Sequence, residues 1–300
     1  MTGTGSKTLE SGIRYLALHY SADPEKDAAW AAEHKKDISP DEWDREMELK
    51  ENVWPGERVY RDYLDGFHCP SWSSEKDIRI VQGGTLIGGW DCGNTLRNAF
   101  VLLQVRPKEK WEQRVDAVLE VAPDAAMSME EFAPLVNAAL LDYFAKESVH
   151  GRDMRDYVKA ITHVGDGTVI TQTGPRGETS QSVALRHGFA IAPMSNTWDT
   201  RRSAVAWLLR RRLTKGKPGF VVSAKNCPVL VAGFEGGYQY PKSSTADQIG
   251  PGMVLRMPLK NMYSHVHDGA QYAAMAVQAM LNGGGVKKTT RLKRGTYRMI

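Results

Sequence analysis

The sequence predicts an α/β protein, a mixed β-sheet flanked by helices with a helical arm at its N-terminal end. Three observations predict it. From residue 85 onward, strand-like and helix-like segments follow one another in the order β-β-β-α-β-α-β-α. The first two strand-like runs are joined only by Gly93-Asn94-Thr95, and a turn that short makes the pair antiparallel. The run from Ser264 to Leu281 is apolar on almost every side, as a buried helix is.

The elements follow in order. Residues 1–20 carry one short apolar stretch, Tyr15-Leu16-Ala17-Leu18. Asp23-Pro24 and Ser39-Pro40-Asp41-Glu42 each set a capping side chain before a proline, and the second adds a glutamate three residues after the cap. They predict charged helices over 24–36 and 40–52, a surface arm. Tyr60, Tyr63, Phe67 and Trp72 lie in a loop-rich stretch that staples the arm to a core. Segments 85–92, 98–106 and 110–121 read as strands, 129–146 as a helix and 158–165 as a strand. A helix at 178–187, a short strand at 189–192 and a helix at 200–213 with basic ends come next. Gly219-Phe220-Val221-Val222 is too short to classify alone. The last helix, 264–281, is stopped by Gly283-Gly284-Gly285.

Composition narrows the function. A chain of 300 residues that is 42% hydrophobic buries a real core. No run of about 18 apolar residues suggests a membrane span, and no signal peptide stands at the N-terminus, so a cytoplasmic protein is expected. Cys69, Cys92 and Cys227 form no CxxC pair, which argues against a zinc site or a disulfide framework. Of the net charge of +4, six positive charges and no acid fall in the last fifteen residues, so the remainder is about −2. Those six are Lys287, Lys288, Arg291, Lys293, Arg294 and Arg298. A second cluster runs from Arg201 and Arg202 through Arg210, Arg211 and Arg212 to Lys215 and Lys217. Contact with a polyanion is the functional reading; a solvated helix face and a flexible tail is the plain one.

Three aspartates stand where a folded chain avoids an acid, because desolvated carboxylates cost several kcal/mol unless paired. Asp91 ends the run Leu86-Ile87-Gly88-Gly89-Trp90-Asp91 and shares a face with Ile87 and Gly89. Glycines there leave room for a ligand or another backbone; a turn aspartate opening the hairpin fits the same position. Asp166 ends Ala160-Ile161-Thr162-His163-Val164-Gly165-Asp166 beside a loop rich in glycine and threonine. Asp-Gly is also a good turn pair. Asp268 falls on a side of its helix with Tyr272, Met275 and Ala279 that is not the solvent stripe of His267, Gln271 and Gln278. An acid in the first turn would complement the helix dipole, which explains its height but not its side. His265 falls near Asp268 and is expected as a hydrogen-bonding neighbour, while His267 is expected to face water. Glu120 is either a fourth acid or, preferably, a strand-end surface charge. Three converging carboxylates in a protein with basic clusters suggest metal-dependent phosphodiester chemistry on nucleic acid, with Lys260, the arginine helix and the tail holding phosphates.

Several segments together resemble one family. They are Gly88-Gly89-Trp90-Asp91-Cys92-Gly93 with Asn98 to Val105; Val164-Gly165-Asp166 with Leu185-Arg186-His187-Gly188-Phe189; and Arg201-Arg202-Ser203-Ala204-Val205. Further on come Gly236-Gly237-Tyr238-Gln239-Tyr240-Pro241 and Lys260 to Tyr272, and upstream the arm from Ser39 to Glu46. Over residues 20–282 the chain resembles the C-terminal nuclease domain of the large terminase subunit of tailed bacteriophages, the DNA-packaging motor. The resemblance implies a ribonuclease H-like fold in which Asp91, Asp166 and Asp268 bind two Mg²⁺ or Mn²⁺ ions and cut double-stranded DNA. It implies a packaging ATPase, the portal and the small terminase subunit as partners, in the host cytoplasm. The organisation expected is an arm at 1–75, a nuclease domain at 76–282 and a basic flexible tail at 283–300. Gly167-Thr168 and Gly269 depart from the family pattern. No GxxxxGK[ST] phosphate loop occurs, so a split gene product, a truncated gene or an excised domain is expected. A resolvase- or transposase-type enzyme and a non-catalytic DNA-binding or docking module are the alternatives.

Overall fold

The computed structural model describes residues 5–8, 14–17, 19–35, 43, 47–48, 57–70, 78–92, 97–108, 112–146, 154–174, 177–241 and 257–284. Contacts divide the chain into two units, Met1–Val59 with Phe234–Leu259, and Tyr60–Gly233 with Lys260–Ile300.

In the first unit, β1 (Gly5–Thr8) pairs antiparallel with β2 (Arg14–Ala17). Helix α1 (Ala28–His34) starts later than Asp23-Pro24 predicts. Asp23 spends its side chain on the backbone N–H of Glu25 at 3.1 Å, closing a local turn, and Asp27 caps the helix through Trp30 N at 2.9 Å. The rings of Tyr20, Trp30 and Trp43 cluster around it. The helix expected over 40–52 lies outside the described residues except at 43, 47 and 48, and Trp72 lies outside them entirely. The Gly236–Pro241 segment falls in this unit, where Tyr238 is buried and its carbonyl accepts from Val59 N at 3.2 Å.

The second unit holds a six-stranded sheet. Its strands are β3 (Thr85–Cys92), β4 (Asn98–Val105), β5 (Val115–Val121), β6 (Thr162–Asp166), β7 (Ile191–Met194) and β8 (Phe220–Val222), in the order β7-β6-β3-β4-β5-β8. β3, β4 and β5 form an antiparallel meander; β6 runs parallel to β3, β7 to β6 and β8 to β5. The sheet is therefore mixed, with three antiparallel strands at its centre and parallel strands at both edges. The helices are α2 (Met129–Lys146), α3 (Met154–Ala160), α4 (Ser180–Arg186), α5 (Trp198–Arg210), α6 (Pro228–Ala232) and α7 (Met262–Leu281). One face of the sheet carries Leu86, Trp90, Phe100 and Leu102 into a core with Phe132, Val136 and Leu140 of α2. Trp90 is its hub, 4.9 Å from the rings of both Phe100 and Phe189 and 5.8 Å from Phe132. The other face is covered by α7, which packs on β3, β4, β6 and α5.

Three elements of this unit differ from expectation. β5 begins at Val115 rather than at 110, because Glu112 and Gln113 form a turn with positive φ. Residues 158–160 end a helix, α3, and the strand begins only at Thr162. Tyr157 and Val158 pack against the core from α3, with Tyr157 stacked on Phe144 at 5.4 Å, so tertiary packing decides a segment whose local pattern is ambiguous. Gly219–Val222, unclassified in sequence, supplies the edge strand β8. Among the described residues no helix is long and apolar enough to cross a membrane.

Candidate active site

The site is built where β3, β6 and α7 meet. Ile87, Gly89 and Asp91 alternate onto the α7 face of β3. The parallel register sets Thr162 beside Ile87 and Val164 beside Gly89, so Asp166 emerges on the same face next to Asp91. Helix α7 crosses at a contact between two glycines. A Cβ on Gly89 would lie 2.0 Å from the carbonyl oxygen of Gly269, and a Cβ on Gly269 would lie 3.2 Å from that of Gly89. The glycine at 269 costs the helix about 1 kcal/mol against alanine and permits this approach. Asp268, one residue before the crossing, is thereby delivered to Asp91, two residues past it. Asn261 caps the helix, its side chain accepting from Tyr263 N at 3.0 Å and Ser264 N at 3.2 Å. Because α7 begins at Met262, Asp268 stands in the second turn, where the helix dipole no longer accounts for it.

Asp91, Asp166 and Asp268 line one open pocket of about 600 Å³ together with Arg97, Arg201, Lys260, His265 and Tyr272. His265 Nδ1 donates to Asp91 Oδ2 at 2.8 Å. Burial pushes the Asp91 carboxyl above its ordinary pKa; the His265 hydrogen bond opposes this and the Asp268 charge adds to it. Asp166 serves two purposes at once. Its Oδ1 closes the turn by accepting from Thr168 N at 2.8 Å and Val169 N at 3.2 Å, while Oδ2 accepts from the Tyr272 hydroxyl at 2.9 Å. Burial pushes the Tyr272 phenol up, so it stays a donor. Asp268 Oδ1 faces Arg201 at 3.0 Å and Oδ2 faces Lys260 Nζ at 2.7 Å. The Asp268 side chain is 5% exposed and that of Lys260 is 63% exposed, so one partner is buried with the acid and the other reaches it from solvent.

The remaining expected residues are distributed as follows. Arg201 is buried against Asp268 rather than on a solvated face, because α5 packs along α7. Arg202 is half-buried on α5. Arg210 pairs with Asp62 at 2.8 Å. Arg211 reaches the carbonyls of Gln113 at 3.2 Å and Gly219 at 3.3 Å, and Arg212 lies over the Phe67 ring at 4.4 Å. The triple-arginine segment is therefore engaged with its own fold. Lys287, Lys288, Arg291, Lys293 and Arg294 lie outside the described residues. Glu120 is neither a fourth acid of the pocket nor a free surface charge. Its two oxygens accept from Val229 N at 2.7 Å and Leu230 N at 2.9 Å at the start of α6, and burial raises its pKa to about 7. His267 and Gln271 do not face water. Helices α5 and α6 both pack on α7. His267 is buried, stacks on Tyr60 at 5.6 Å and has its pKa lowered by burial to about 3, and Gln271 donates to the Tyr60 hydroxyl at 2.9 Å. Arg97 and Tyr272 are site residues the sequence reading did not single out. Tyr272 carried a usable signal, lying four residues after Asp268 on the same helix face; Arg97 carried none.

Among the described residues no three His, Cys, Asp or Glu side chains are gathered so that they could hold a metal ion. The donor chemistry nevertheless fits a hard divalent cation: three carboxylates open onto one pocket, and positive groups already stand against Asp268 in the form of an ammonium and a guanidinium.

No family model and no curated protein matches the chain. Solved structures do. The large terminase from a thermophilic bacteriophage is similar at 10% identity over 87% of this chain and 55% of that one, with a TM-score of 0.48. The P22 large terminase nuclease domain is similar at 12% identity over 74% of this chain and 92% of that one, with a TM-score of 0.46. The large terminase nuclease from the thermophilic phage G20c with bound cobalt is similar at 13% identity over 74% and 97% of the two chains, with a TM-score of 0.39. These neighbours are large terminases, the family the sequence motifs resemble. The chain spans about half the length of the first large terminases it matches, 55% and 46%.

Proposed function

We propose that this chain is a divalent-metal-dependent endonuclease that cuts double-stranded DNA, of the kind found in the large terminase of tailed phages. One observation supports the reading above the others: three acids from segments far apart in sequence line one pocket with Arg97, Arg201 and Lys260. In this reading Asp91, Asp166 and Asp268 hold two Mg²⁺ or Mn²⁺ ions. The chemistry supplied by such ions is Lewis-acid charge, lowering the pKa of the attacking water and stabilising the leaving 3′ oxygen. The chain's own groups do the rest. His265 orients Asp91. Lys260, exposed and flexible, leaves Asp268 and takes a DNA phosphate, and Arg97 holds a second phosphate at the rim. A packaging ATPase, the portal and the small terminase subunit are the partners this role requires.

The ion pairs on Asp268 favour a second reading, a DNA-binding module without catalysis, in which Arg201 and Lys260 permanently neutralise the acid. Plasmid cleavage separates the two. The nuclease nicks and linearises plasmid in Mn²⁺ or Mg²⁺ and is silent in excess EDTA; the module binds DNA and leaves it intact in every buffer.

A further inference from the structure

Tyr272 sits where phenylalanine would satisfy the packing. Its residue is 1% exposed and its ring is covered on the α5 side by the Arg201 guanidinium, 5.1 Å from the ring centre. What tyrosine adds is one hydroxyl, and that hydroxyl meets Asp166 Oδ2 at 2.9 Å. The other Asp166 oxygen is committed to the turn at Thr168 and Val169, so Oδ2 is the one that faces the pocket. Arg201 in turn donates from Nη1 to Asp268 Oδ1 at 3.0 Å and from Nε to the Asn196 carbonyl at 3.2 Å. A chain of direct contacts therefore runs from Asp166 at the end of β6, through Tyr272 on α7 and Arg201 on α5, back to Asp268 on α7. Asp268 and Tyr272 are four residues apart on one helix, so their side chains stack along the same face.

We infer that Tyr272 is a positioning residue of this site, its hydroxyl orienting Asp166 and its ring seating Arg201, so that carboxylates carried by two different elements keep one spacing. The inference rests on the metal-dependent reading above. Donors that orient a ligating carboxylate act through the ligand, and removing one typically weakens metal binding about 10- to 100-fold. Tyr272→Phe deletes the hydroxyl and keeps the ring.

The test is Mn²⁺ binding to the DNA-free full chain, followed by calorimetry and by the electron paramagnetic resonance of the ion, beside thermal melting. Wild type, Asp166→Asn and Tyr272→Phe are compared. The expected result is that Asp166→Asn loses the site, while Tyr272→Phe melts near wild type and binds Mn²⁺ at least about tenfold more weakly. A 3-fluorotyrosine incorporated at position 272 alone keeps ring and donor and should bind as wild type does. If Tyr272→Phe keeps wild-type affinity while Asp166→Asn loses it, the hydroxyl only satisfies packing and the inference is overturned. Loss of affinity in the fluorotyrosine protein would overturn it too. If wild type takes up no Mn²⁺, or Asp166→Asn binds as well as wild type, the metal site itself is wrong and the role of Tyr272 falls with it.

Discussion

Asp116 and Asp268 are both buried acids gripped by two basic side chains, and they sit in the same unit of the chain. Asp116 is 0% exposed near the start of β5. Arg106, itself 2% exposed, and Arg114 take its two oxygens, and Gln104 Nε2 adds a third contact at 3.2 Å. Asp268 has one such buried partner, Arg201, but its second partner is the exposed Lys260, and the group opens onto the pocket shared with Asp91 and Asp166. A carboxylate closed off by its partners braces the sheet; one whose partner can leave has an oxygen to offer. The difference between the two acids lies in the exposure of a single lysine.

The largest effect should be on cleavage. Asp91→Asn, Asp166→Asn and Asp268→Asn are each expected to reduce Mn²⁺-dependent plasmid cutting to background with the far-ultraviolet circular dichroism of the native chain. Wild-type cutting by Asp268→Asn would put it in the same class as Asp116. For Asp116→Asn the loss should appear in stability instead, about 3–5 kcal/mol in chemical denaturation, because the buried Arg106 and the half-buried Arg114 lose the Asp116 charge. Asp268→Asn should cost less, since Lys260 returns to water.

Acid titration adds a third environment, a buried titratable group with no counter-charge. Trp90 Nε1 donates to His163 Nδ1 at 3.0 Å, which fixes the neutral ring with its proton on Nε2, and burial lowers the His163 pKa to about 3. The unfolded chain protonates this histidine near its ordinary value of 6.5 and the folded chain does not until about 3. Stability therefore falls as pH drops through that window, by about 1.4 kcal/mol per pH unit for each such histidine. His267 has the same shift and sign. Glu120 has the opposite sign. Its pKa is raised from 4.5 to about 7, so its contribution to stability falls as pH rises between those values. Urea melts across pH should lose one proton of acid dependence in His163→Gln, whereas Glu120→Gln removes the opposing contribution and should steepen the dependence by one proton between pH 4.5 and 6.5.

The smallest effect concerns the open partners. Lys260→Met and Arg97→Met should each lower the slope of log DNA affinity against log salt by about 0.9. Arg106→Met, which removes a closed partner, should lower stability and leave the slope alone. An unchanged slope in Lys260→Met would mean that this lysine stays on Asp268 when DNA binds.

How much of this was legible in the sequence varies by residue, for physical reasons. The β3 strand and α7 were readable because their periodicities are strong, and the room that Gly89 leaves on its strand face is filled by the backbone of α7 at Gly269, which in sequence reads only as a weakened helix start. Asp91, Asp166 and Asp268 were each conspicuous by position. Asp116 stands in an equally costly place; Arg114, two residues before it, shares its strand face, but nothing in its own segment says that Arg106 also closes over it. Arg201 reads as the start of a basic surface because its neighbours in sequence are basic, yet its partner Asp268 is 67 residues away. His267 and Gln271 form a polar stripe that reads as a solvent face until Tyr60 and α6 are known to lie against it. α3 was misread because a short segment of mixed polarity suits a strand or a helix until the core it packs on is known.

The most direct measurement is an anomalous-scattering map of the crystallised chain soaked in Mn²⁺ at its absorption edge. Peaks are expected within the pocket, touching carboxylate oxygens of Asp91, Asp166 and Asp268, with the Lys260 ammonium withdrawn from Asp268. Peaks elsewhere, or an empty pocket with Lys260 still paired to Asp268, would contradict the metal-dependent reading and leave the three acids as a braced, non-catalytic cluster.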